Sequence, residues 1–206
     1  ASYFYRTSPA LLRSLYGPML REALATSPPG APLLASLANL PAGTPSLERM
    51  LYLEGKHFLP DHNLNYTDKM SMAAGVEVRV PLLDPDLVAL AARLPSQYKQ
   101  HGRIGKWIFK RVMEPYLPRD VIYRPKTGFG VPLRRWLRHE LAPVVEDVLS
   151  TGSLRNRGLF DVEGVKRLVE MDRAGRLDGI YTIFSLMCIE LWCRIFVDGK
   201  VPSLGR

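Results

Sequence analysis

A lysine stands in the middle of a segment that is unsuited to regular secondary structure. Residues 123–132 read YRPKTGFGVP, with two prolines and two glycines around Lys126. Proline fixes one backbone dihedral and glycine supplies conformations that other residues avoid, so the segment predicts an irregular loop of defined shape. A cation held on such a loop suits recognition of an anionic ligand better than simple solvation. Lys126 is therefore the first candidate for chemistry.

The region around Lys126 is strongly basic. Residues 99–140 carry eleven Lys or Arg side chains against three acids, an excess that equals the whole chain's net charge of +8. Such an excess attracts anions. The candidates are a nucleic acid, an acidic protein partner, and a polyphosphate such as ATP or pyrophosphate. Scattered basic side chains more often form a solvated helix face, and that interpretation stays open for the cations outside the loop.

A nucleic-acid interface would place exposed aromatic side chains among these cations as stacking platforms. Trp107, Phe109, Tyr123, Phe129 and Trp136 are present, but their helical spacing is more typical of core residues. The sequence has no zinc finger, RNA-recognition motif or helix-turn-helix signature. A basic helical module that binds nucleic acid is therefore the weaker alternative.

A second group of charges lies earlier in the chain. Residues 68–84 contain acidic and basic side chains in alternation, and Glu77, Arg79 and Asp84 are the candidates for a ligand role. Salt bridges buried around a turn explain Arg79 and Asp84 equally well. Glu77 lies between two valines, where a carboxylate must find a partner.

Metal and covalent chemistry have little support in the sequence. The four histidines show no metal-ligand spacing, and we expect no metal site. Cys188 and Cys193 lie five residues apart in a helical pattern, which suits two reduced core thiols of a cytoplasmic protein better than a disulfide. No nucleophile elbow, GxGxxG turn or Walker loop is present.

Composition is that of an ordinary globular protein. The chain has 206 residues, of which 47% are hydrophobic and 23% charged, and this argues against disorder. The most apolar stretch, residues 180–197, is interrupted by Glu190 and Arg194, so we expect no membrane span. The first residues lack a signal-peptide pattern and look like a cut edge. We therefore expect a single helical domain over residues 1–206, in the cytoplasm.

Helical periodicity dominates the chain, so helices must position these side chains. Capping residues and apolar spacings of three and four predict helices over residues 8–24, 33–40, 47–58, 63–75, 86–94, 106–116, 133–149, 162–174 and 181–196. Pro60 should stop the third helix, Gly75 should cap the fourth, and Asp84 should cap the fifth. Residues 76–85 alternate apolar and charged side chains and should be extended. The fold is therefore predicted to be mainly α.

Two blocks of sequence resemble the asparagine synthetase family. Residues 68–84, DKMSMAAGVEVRVPLLD, match the family pattern D-R-x-S-M-A-x-x-x-E-x-R-x-P-(F/L)-L-D. Lys106, residues 123–132 and Trp136 match the later pattern K…R-x-K-x-G-F-x-x-P…W, in the right order and separation. The resemblance covers residues 60–140. It implies the helical C-terminal half of an α/β synthetase domain of the ATP-pyrophosphatase type, also described as adenine nucleotide α-hydrolase-like.

The resemblance also implies a reaction. In this family ATP adenylates the side-chain carboxylate of aspartate with Mg²⁺ present, pyrophosphate leaves, and ammonia from glutamine attacks the acyl-adenylate. Lys126 matches the family's catalytic lysine, near the pyrophosphate and the reacting phosphorus. A fixed cation stabilises the negative charge that adenylation adds to phosphate oxygens. Glu77, Arg79, Asp84 and Arg124 would line the cleft for ATP and substrate.

The chain departs from the family in two ways. Lys69 stands where the family usually has arginine, which keeps the charge but loses a bidentate donor. The N-terminal glutaminase and the Ser-Gly-Gly-x-Asp-Ser loop, which binds ATP and Mg²⁺, do not occur in the chain. We therefore expect a C-terminal fragment that is inactive alone and needs the missing N-terminal half as its partner. A family relative that amidates or cyclises another substrate is the alternative, and a homodimer is one oligomeric state left open.

Overall fold

The computed structural model describes residues 7–26, 30–125 and 130–200. Helices dominate these residues, as predicted, and the described strands form one two-stranded antiparallel hairpin. The chain divides into two compact units: unit 1 comprises Ala1–Ala31 and Phe129–Arg206, and unit 2 comprises Pro32–Gly128.

The elements follow one another along the chain in a simple order. They are α1 (Pro9–Leu15), α2 (Pro18–Ala23), α3 (Ala31–Ala38), α4 (Ser46–Leu53), a π-helix (Glu54–Leu64), α5 (Asn65–Ala73), a 3₁₀ turn (Pro81–Leu83), α6 (Pro85–Arg93), α7 (Ser96–Lys99), β1 (Gln100–His101), β2 (Ile104–Gly105), α8 (Trp107–Met113), α9 (Arg119–Tyr123), α10 (Leu133–Arg138), α11 (Ala142–Val148), α12 (Thr151–Arg157), α13 (Val162–Arg173) and α14 (Ile180–Phe196).

Apolar side chains of α1 and of α10 to α14 form the core of unit 1. Leu15, Val148, Val165 and Leu168 are its most deeply buried apolar residues. The last two helices, α13 and α14, agree with their predicted ranges to within one residue at each end. The apolar periodicity of α13 explains its agreement, and α14 is apolar over most of its length; each helix buries one stripe against the same core.

The predicted helix over residues 8–24 is wrong in one respect, because the structure divides it at Tyr16 and Gly17. Tyr16 forms an isolated antiparallel bridge with Phe160, and the Gly17 N–H donates to the Leu159 carbonyl over 2.8 Å. A Cβ at Gly17 would lie 2.9 Å from two carbonyl oxygens of the facing segment. Contact with a distant part of the chain therefore ends α1, and only glycine allows so close an approach.

The predicted helix over residues 133–149 is divided as well, into α10 and α11. His139 leaves the helical region with φ −126° and ψ −79°, and the Leu141 N–H donates to the Trp136 carbonyl over 2.6 Å. Pro143 then lies in the first turn of α11, where its missing N–H costs little. In one continuous helix the same proline would interrupt the hydrogen-bond ladder, so two helices form.

The two cysteines of α14 are both free, as expected, but only one belongs to the core. Cys193 is buried, whereas Cys188 is exposed, so the prediction of two core thiols is wrong for Cys188. A spacing of five residues turns a side chain by about 140° around an α-helix, which separates the two faces. Partial burial still raises the pKa of the Cys188 thiol.

In unit 2 the helix predicted to stop before Pro60 continues through it. α4 ends at Leu53 and a π-helix follows over Glu54–Leu64, with Pro60 inside it. Proline lacks an N–H and collides with the carbonyl four residues earlier in an α-helix, and the wider π turn accommodates the ring. The side chains of Phe58 and His62 stack there with ring centroids 4.8 Å apart.

The prediction of extended backbone over residues 76–85 is wrong for Pro81–Leu83, which form the 3₁₀ turn, whereas residues 76–80 are free of helix as expected. Gly75 takes a left-handed conformation with φ 68°, and the Val76 N–H donates back to the Ser71 carbonyl over 2.9 Å, which ends α5. Residues 76–80 belong to no helix, strand or turn, and Val80 has φ −120° and ψ 75° directly before the 3₁₀ turn. Asp84 then caps α6, because its Oδ1 accepts from the Asp86 N–H at 3.0 Å and the Leu87 N–H at 3.1 Å.

Candidate functional site

The segment that carries the first candidate, residues 123–132, is described only at its two ends. Lys126 and Phe129 lie outside the described residues, so the structure does not test their assignments. Arg124 directly follows α9, with φ −54° and ψ 145°, and its side chain is exposed. Pro125 explains this extended conformation, since the residue before a proline avoids the helical region. Arg124 is thus available to an anion in solvent.

A carboxylate in the basic region collects the side chains that precede the loop. Glu114 Oε1 accepts hydrogen bonds from the Tyr123 hydroxyl at 2.7 Å, from Arg119 Nη1 at 2.9 Å and from Arg111 Nη1 at 3.1 Å. Glu114 follows α8, whereas Arg119 and Tyr123 are the first and last residues of α9. The three contacts therefore join α8 to α9 immediately before Arg124.

Cations also face the Tyr123 ring. Lys110 Nζ lies 5.3 Å from the ring centroid and the Arg119 guanidinium carbon lies 5.1 Å from it. Cation–π contacts of this length are attractive, and they add to the hydrogen bond that holds the hydroxyl. Tyr123 is thus fixed at its ring and at its hydroxyl, which restricts the backbone that leads into residues 124 and 125.

The same contacts shift two pKa values in opposite directions. The hydrogen bond from Tyr123 lowers the pKa of Glu114 below its ordinary value of 4.5, with help from Arg111 and Arg119. The hydrogen bond to Glu114 raises the pKa of Tyr123 above 10.0. At neutral pH the pair is therefore an ionised acceptor and a protonated donor, which is the combination that the 2.7 Å contact requires.

Four cations between residues 99 and 125 have no carboxylate partner in the described part of the chain. They are Arg103, Lys106, Lys110 and Arg124, and of these Lys110 lies over the Tyr123 ring. Lys106 is also the one described non-glycine residue with a positive φ, at 56°, and it directly precedes α8. A left-handed conformation is uncommon for lysine and points to a constrained position. These side chains are the described groups that an anionic ligand would meet without breaking an ion pair.

Glu77 and Arg79 contact each other on the extended segment. Arg79 Nε lies 3.3 Å from Glu77 Oε1, and the arginine side chain is 85% exposed. The interpretation of a buried salt bridge is therefore wrong for Arg79. An exposed pair of this kind contributes little to stability, so neither residue is explained by a role inside the core.

Asp84 serves as the N-cap of α6 and is exposed, so a buried salt bridge is wrong for this residue as well. Among the described residues no hydrogen bond or ion pair joins Asp84 or Arg124 to Glu77 or Arg79. Of the predicted site residues that the structure describes, it thus brings together Glu77 and Arg79 alone.

Sequence reasoning missed two carboxylates that organise unit 2. Glu114 is the only acid between residues 99 and 119, and that isolation was a usable signal. Glu48 of α4 gave no such signal, because its partners lie about fifty residues away. It accepts from Lys99 Nζ at 2.7 Å and from the Ser96 hydroxyl at 2.8 Å, and the bond from Lys99 lowers the pKa of Glu48.

Within residues 7–26, 30–125 and 130–200, no group of three or more His, Cys, Asp or Glu side chains is arranged to hold a metal ion. Over the same residues, no helix combines the length and apolar character that a bilayer crossing needs.

Comparison with known proteins gives a consistent set of matches. The family model described as asparagine synthase matches residues 5–194. A protein of Mycobacterium tuberculosis, named as an asparagine synthetase (glutamine-hydrolyzing), is 34% identical over 94% of this chain and 30% of its own length. Asparagine synthetase (glutamine-hydrolyzing) 1 of Bacillus subtilis is 26% identical over 75% of this chain and 24% of its own length.

A plant relative matches a shorter region. Asparagine synthetase (glutamine-hydrolyzing) 1 of Arabidopsis thaliana is 39% identical over 31% of this chain and 12% of its own length. The chain thus spans 30% of the length of the mycobacterial relatives that it matches. Comparison with solved structures found no match.

Proposed function

The chain belongs to the asparagine synthase family, and from that premise we propose that it is the helical part of an ATP-dependent, amide-forming synthetase domain. In the proposed reaction the side-chain carboxylate of aspartate attacks the α-phosphorus of ATP and pyrophosphate leaves. Ammonia derived from glutamine then attacks the acyl carbon of the aspartyl-adenylate. Asparagine forms, AMP leaves, and the nitrogen loses a proton to solvent.

The observation that carries this proposal is the place of Lys126 in the sequence YRPKTGFGVP, which lies within the basic part of the matched region. The family match covers residues 5–194, and both sequence blocks lie within it. Adenylation increases negative charge on phosphate oxygens in the transition state, and a fixed cation stabilises that state more than the bound substrate. Lys126 is the residue proposed for this role.

Arg124 is proposed as a second phosphate ligand beside Lys126. Its exposed guanidinium has no carboxylate partner among the described residues, and it follows the part of the chain fixed by Glu114 and Tyr123. A guanidinium can give two parallel hydrogen bonds to one phosphate group, which suits a leaving pyrophosphate. Arg124 would orient the polyphosphate while Lys126 stabilises the charge that develops.

Glu77, Arg79 and Asp84 are proposed to shape the cleft rather than to react. Glu77 and Arg79 neutralise each other across 3.3 Å, and Asp84 Oδ1 is already the acceptor for two backbone N–H groups of α6. Groups that are engaged in this way position backbone and neighbours more readily than they transfer protons. Their replacement should therefore affect substrate binding more than the adenylation step.

The described residues do not form a site for Mg²⁺. No cluster of three or more suitable ligands occurs among them, so we assign the ion to none of these side chains and derive no step through it. We propose that ATP and Mg²⁺ are bound mainly by the part of the family protein that lies outside this match, in an α/β domain of the ATP-pyrophosphatase type. The proposed enzyme acts in the cytoplasm.

The experiment that tests this function is aspartate-dependent exchange of labelled pyrophosphate into ATP. The complete gene product that carries this chain is compared with its Lys126→Ala variant. Lys166→Ala is the matched control, because Lys166 is a half-exposed lysine on α13 of unit 1 whose ion pair is local. We expect exchange in the parent and in the control, and a loss of about a hundredfold or more in Lys126→Ala.

Two other results would change the proposal. Exchange that is equally fast in Lys126→Ala would keep the adenylation chemistry and remove Lys126 from it. Absence of exchange with aspartate in the parent would contradict aspartate as the substrate, and the same assay with other carboxylates would then identify the acceptor.

A further inference from the structure

Unit 2 leaves most of its large apolar side chains in solvent. Leu53 is the one apolar residue of unit 2 that is buried among residues 32–125. Folding of a stretch this long normally depends on burial of many such side chains, since apolar burial is the main favourable term. The exposed members around the extended segment are Met70, Met72, Val76, Val78, Val80 and Leu82.

The backbone of the extended segment is unpaired as well. The Val76 N–H and the Val80 carbonyl are used by the turns at either end, with the Leu83 N–H as the donor to Val80. Between them, the N–H groups of residues 77–80 have no backbone partner in the described part of the chain. A row of free donors and acceptors on extended backbone is a template for pairing with another strand.

The alternation of residues 76–80 is that of a strand with one apolar face. Because successive side chains of an extended chain alternate, Val76, Val78 and Val80 share one side while Glu77 and Arg79 share the other. Glu77 and Arg79 neutralise each other through their 3.3 Å contact. The charged side therefore needs no further partner, whereas the valine side exposes 43–54% of each residue.

We propose that residues 76–80 are a β-strand that pairs with an extended segment from the part of the family protein that this chain does not match. The inference depends on the family assignment, because the relatives supply the occupant. The chain covers only 30% of the length of the mycobacterial relatives, so most of each relative remains to cover this surface. The paired strand brings backbone donors and acceptors to residues 77–80 and apolar side chains to Val76, Val78 and Val80.

The extent of the exposed surface favours this occupant over a second copy of the chain. A two-fold pairing of residues 76–80 would cover only five residues on each side, and two-stranded contacts of that size are marginal in water. Other exposed apolar side chains of unit 2 lie on α6, α8 and α9, and they include Leu90, Phe109, Val112 and Val121. A covering partner must therefore be larger than one strand.

Hydrogen–deuterium exchange of the backbone amides tests the pairing without any substrate. The 206-residue chain is compared with the complete gene product, and the amides of residues 77–80 are followed. If the gene encodes only these residues, the unmatched part of the M. tuberculosis relative is added as a separate polypeptide. We expect exchange to be about a hundredfold slower when the larger part is present.

A substitution on the apolar side adds a second measurement. Val78→Lys places a charge on the valine face, and in the complete protein it should accelerate exchange at residues 77–80 by about tenfold or more. Val144→Lys makes the same change at an exposed valine of α11 in unit 1 and should leave these amides unchanged.

Each outcome bears on the inference separately from the proposed reaction. Fast exchange at residues 77–80 in both samples would overturn the pairing, even if pyrophosphate exchange succeeds. Slow exchange in the isolated chain that strengthens with its concentration would identify a second copy as the partner and would also overturn it. Protection that survives Val78→Lys would show that the valine face is not buried in the pairing.

Discussion

The Tyr123 hydroxyl donates a 2.7 Å hydrogen bond to Glu114 Oε1 and thereby connects α9 to the end of α8. The connection lies one residue before Arg124 and three before Lys126 along the chain. Arg119 and Arg111 share the same carboxylate oxygen, so one acidic side chain neutralises a local concentration of positive charge. Without it the cations of α8 and α9 would repel one another.

Replacement of Glu114 should return the pKa of Tyr123 toward that of an ordinary tyrosine. Because the hydrogen bond to Glu114 is the main cause of the raised pKa of Tyr123, Glu114→Ala should lower that pKa. An absorbance titration of phenolate formation measures the change, and the difference from Tyr123→Phe identifies which of the nine tyrosines responds. Tyr116→Phe is the control, since this tyrosine is 75% exposed. An unchanged titration in Glu114→Ala would contradict the contact.

The Glu190 carboxylate should be a major source of stability in unit 1. It is buried, and it accepts from Arg157 Nε at 2.8 Å, Arg194 Nε at 3.2 Å and the Ser153 hydroxyl at 3.1 Å. Glu190→Gln should cost about 3 kcal/mol of unfolding free energy, measured in denaturant at neutral pH. This value is the lower end of the usual cost of breaking a buried ion pair. The cost is low because each arginine keeps an aspartate partner: Arg157 keeps Asp198, and Arg194 keeps Asp147.

The effect of Glu190→Gln should depend on pH in a defined direction. Burial acts to raise the pKa of Glu190, but hydrogen bonds from Arg157, Arg194 and Ser153 outweigh it and hold the pKa below 4.5. A lowered pKa adds stability above the unfolded value, and this stability is lost as the pH falls through the folded value. The difference between parent and variant should therefore be full near neutral pH and shrink below about pH 4.5.

Exposed Glu163 on α13 provides the matched control for both measurements. Its side chain is 71% exposed and its partner Lys166 lies one turn away. Glu163→Gln should change the unfolding free energy by less than about 0.5 kcal/mol at any pH. If the two variants behave alike, the buried network around Glu190 does not stabilise the protein as its geometry indicates.

Two substitutions at Asp84 distinguish a structural role from a role in the cleft. Its Oδ1 accepts from the N–H groups of Asp86 and Leu87, so Asp84→Ala should cost about 1 kcal/mol. Asp84→Asn keeps a capping oxygen and should restore most of that stability. Pyrophosphate exchange by the Asn variant then reports the charge alone. Normal exchange with restored stability would confine Asp84 to capping, and lost exchange would place its charge in the cleft.

Local signals were sufficient for the parts of the fold that depend on neighbouring residues. Asp84 before Pro85 is a capping pattern, and the period of α13 and α14 is visible in the sequence, so these predictions succeeded. The division at Tyr16 depends on Phe160, which no window around residue 16 contains. The π-helix through Pro60 reflects a choice between two helical geometries that apolar spacing does not distinguish.

The candidate site was predictable in its residue types but not in its arrangement. The alternation around Glu77 correctly predicted that residues 76–80 are not helical, yet it showed neither the 3₁₀ turn at Pro81–Leu83 nor that the segment would be exposed rather than buried. The hydrogen bond from Tyr123 to Glu114 joins α9 to the end of α8 across nine residues of sequence. The apolar periodicity within each helix does not predict such a contact between them. Lys126 stays a prediction, because it lies outside the described residues and no contact of the structure tests it.

Gly164 offers the sharpest test of helix packing in unit 1. A Cβ at this position on α13 would lie 2.3 Å from the backbone oxygen of Ser14 on α1. Since that oxygen belongs to the backbone, Gly164→Ala must displace one helix and should cost about 1–3 kcal/mol of unfolding free energy. Gly152→Ala on α12 is the matched control, because nothing lies within 4 Å of its added Cβ. Alanine favours the helix there, so this variant should gain about 0.5–1 kcal/mol. Denaturant unfolding measures both changes, and equal signs for the two variants would contradict the close approach of α1 to α13.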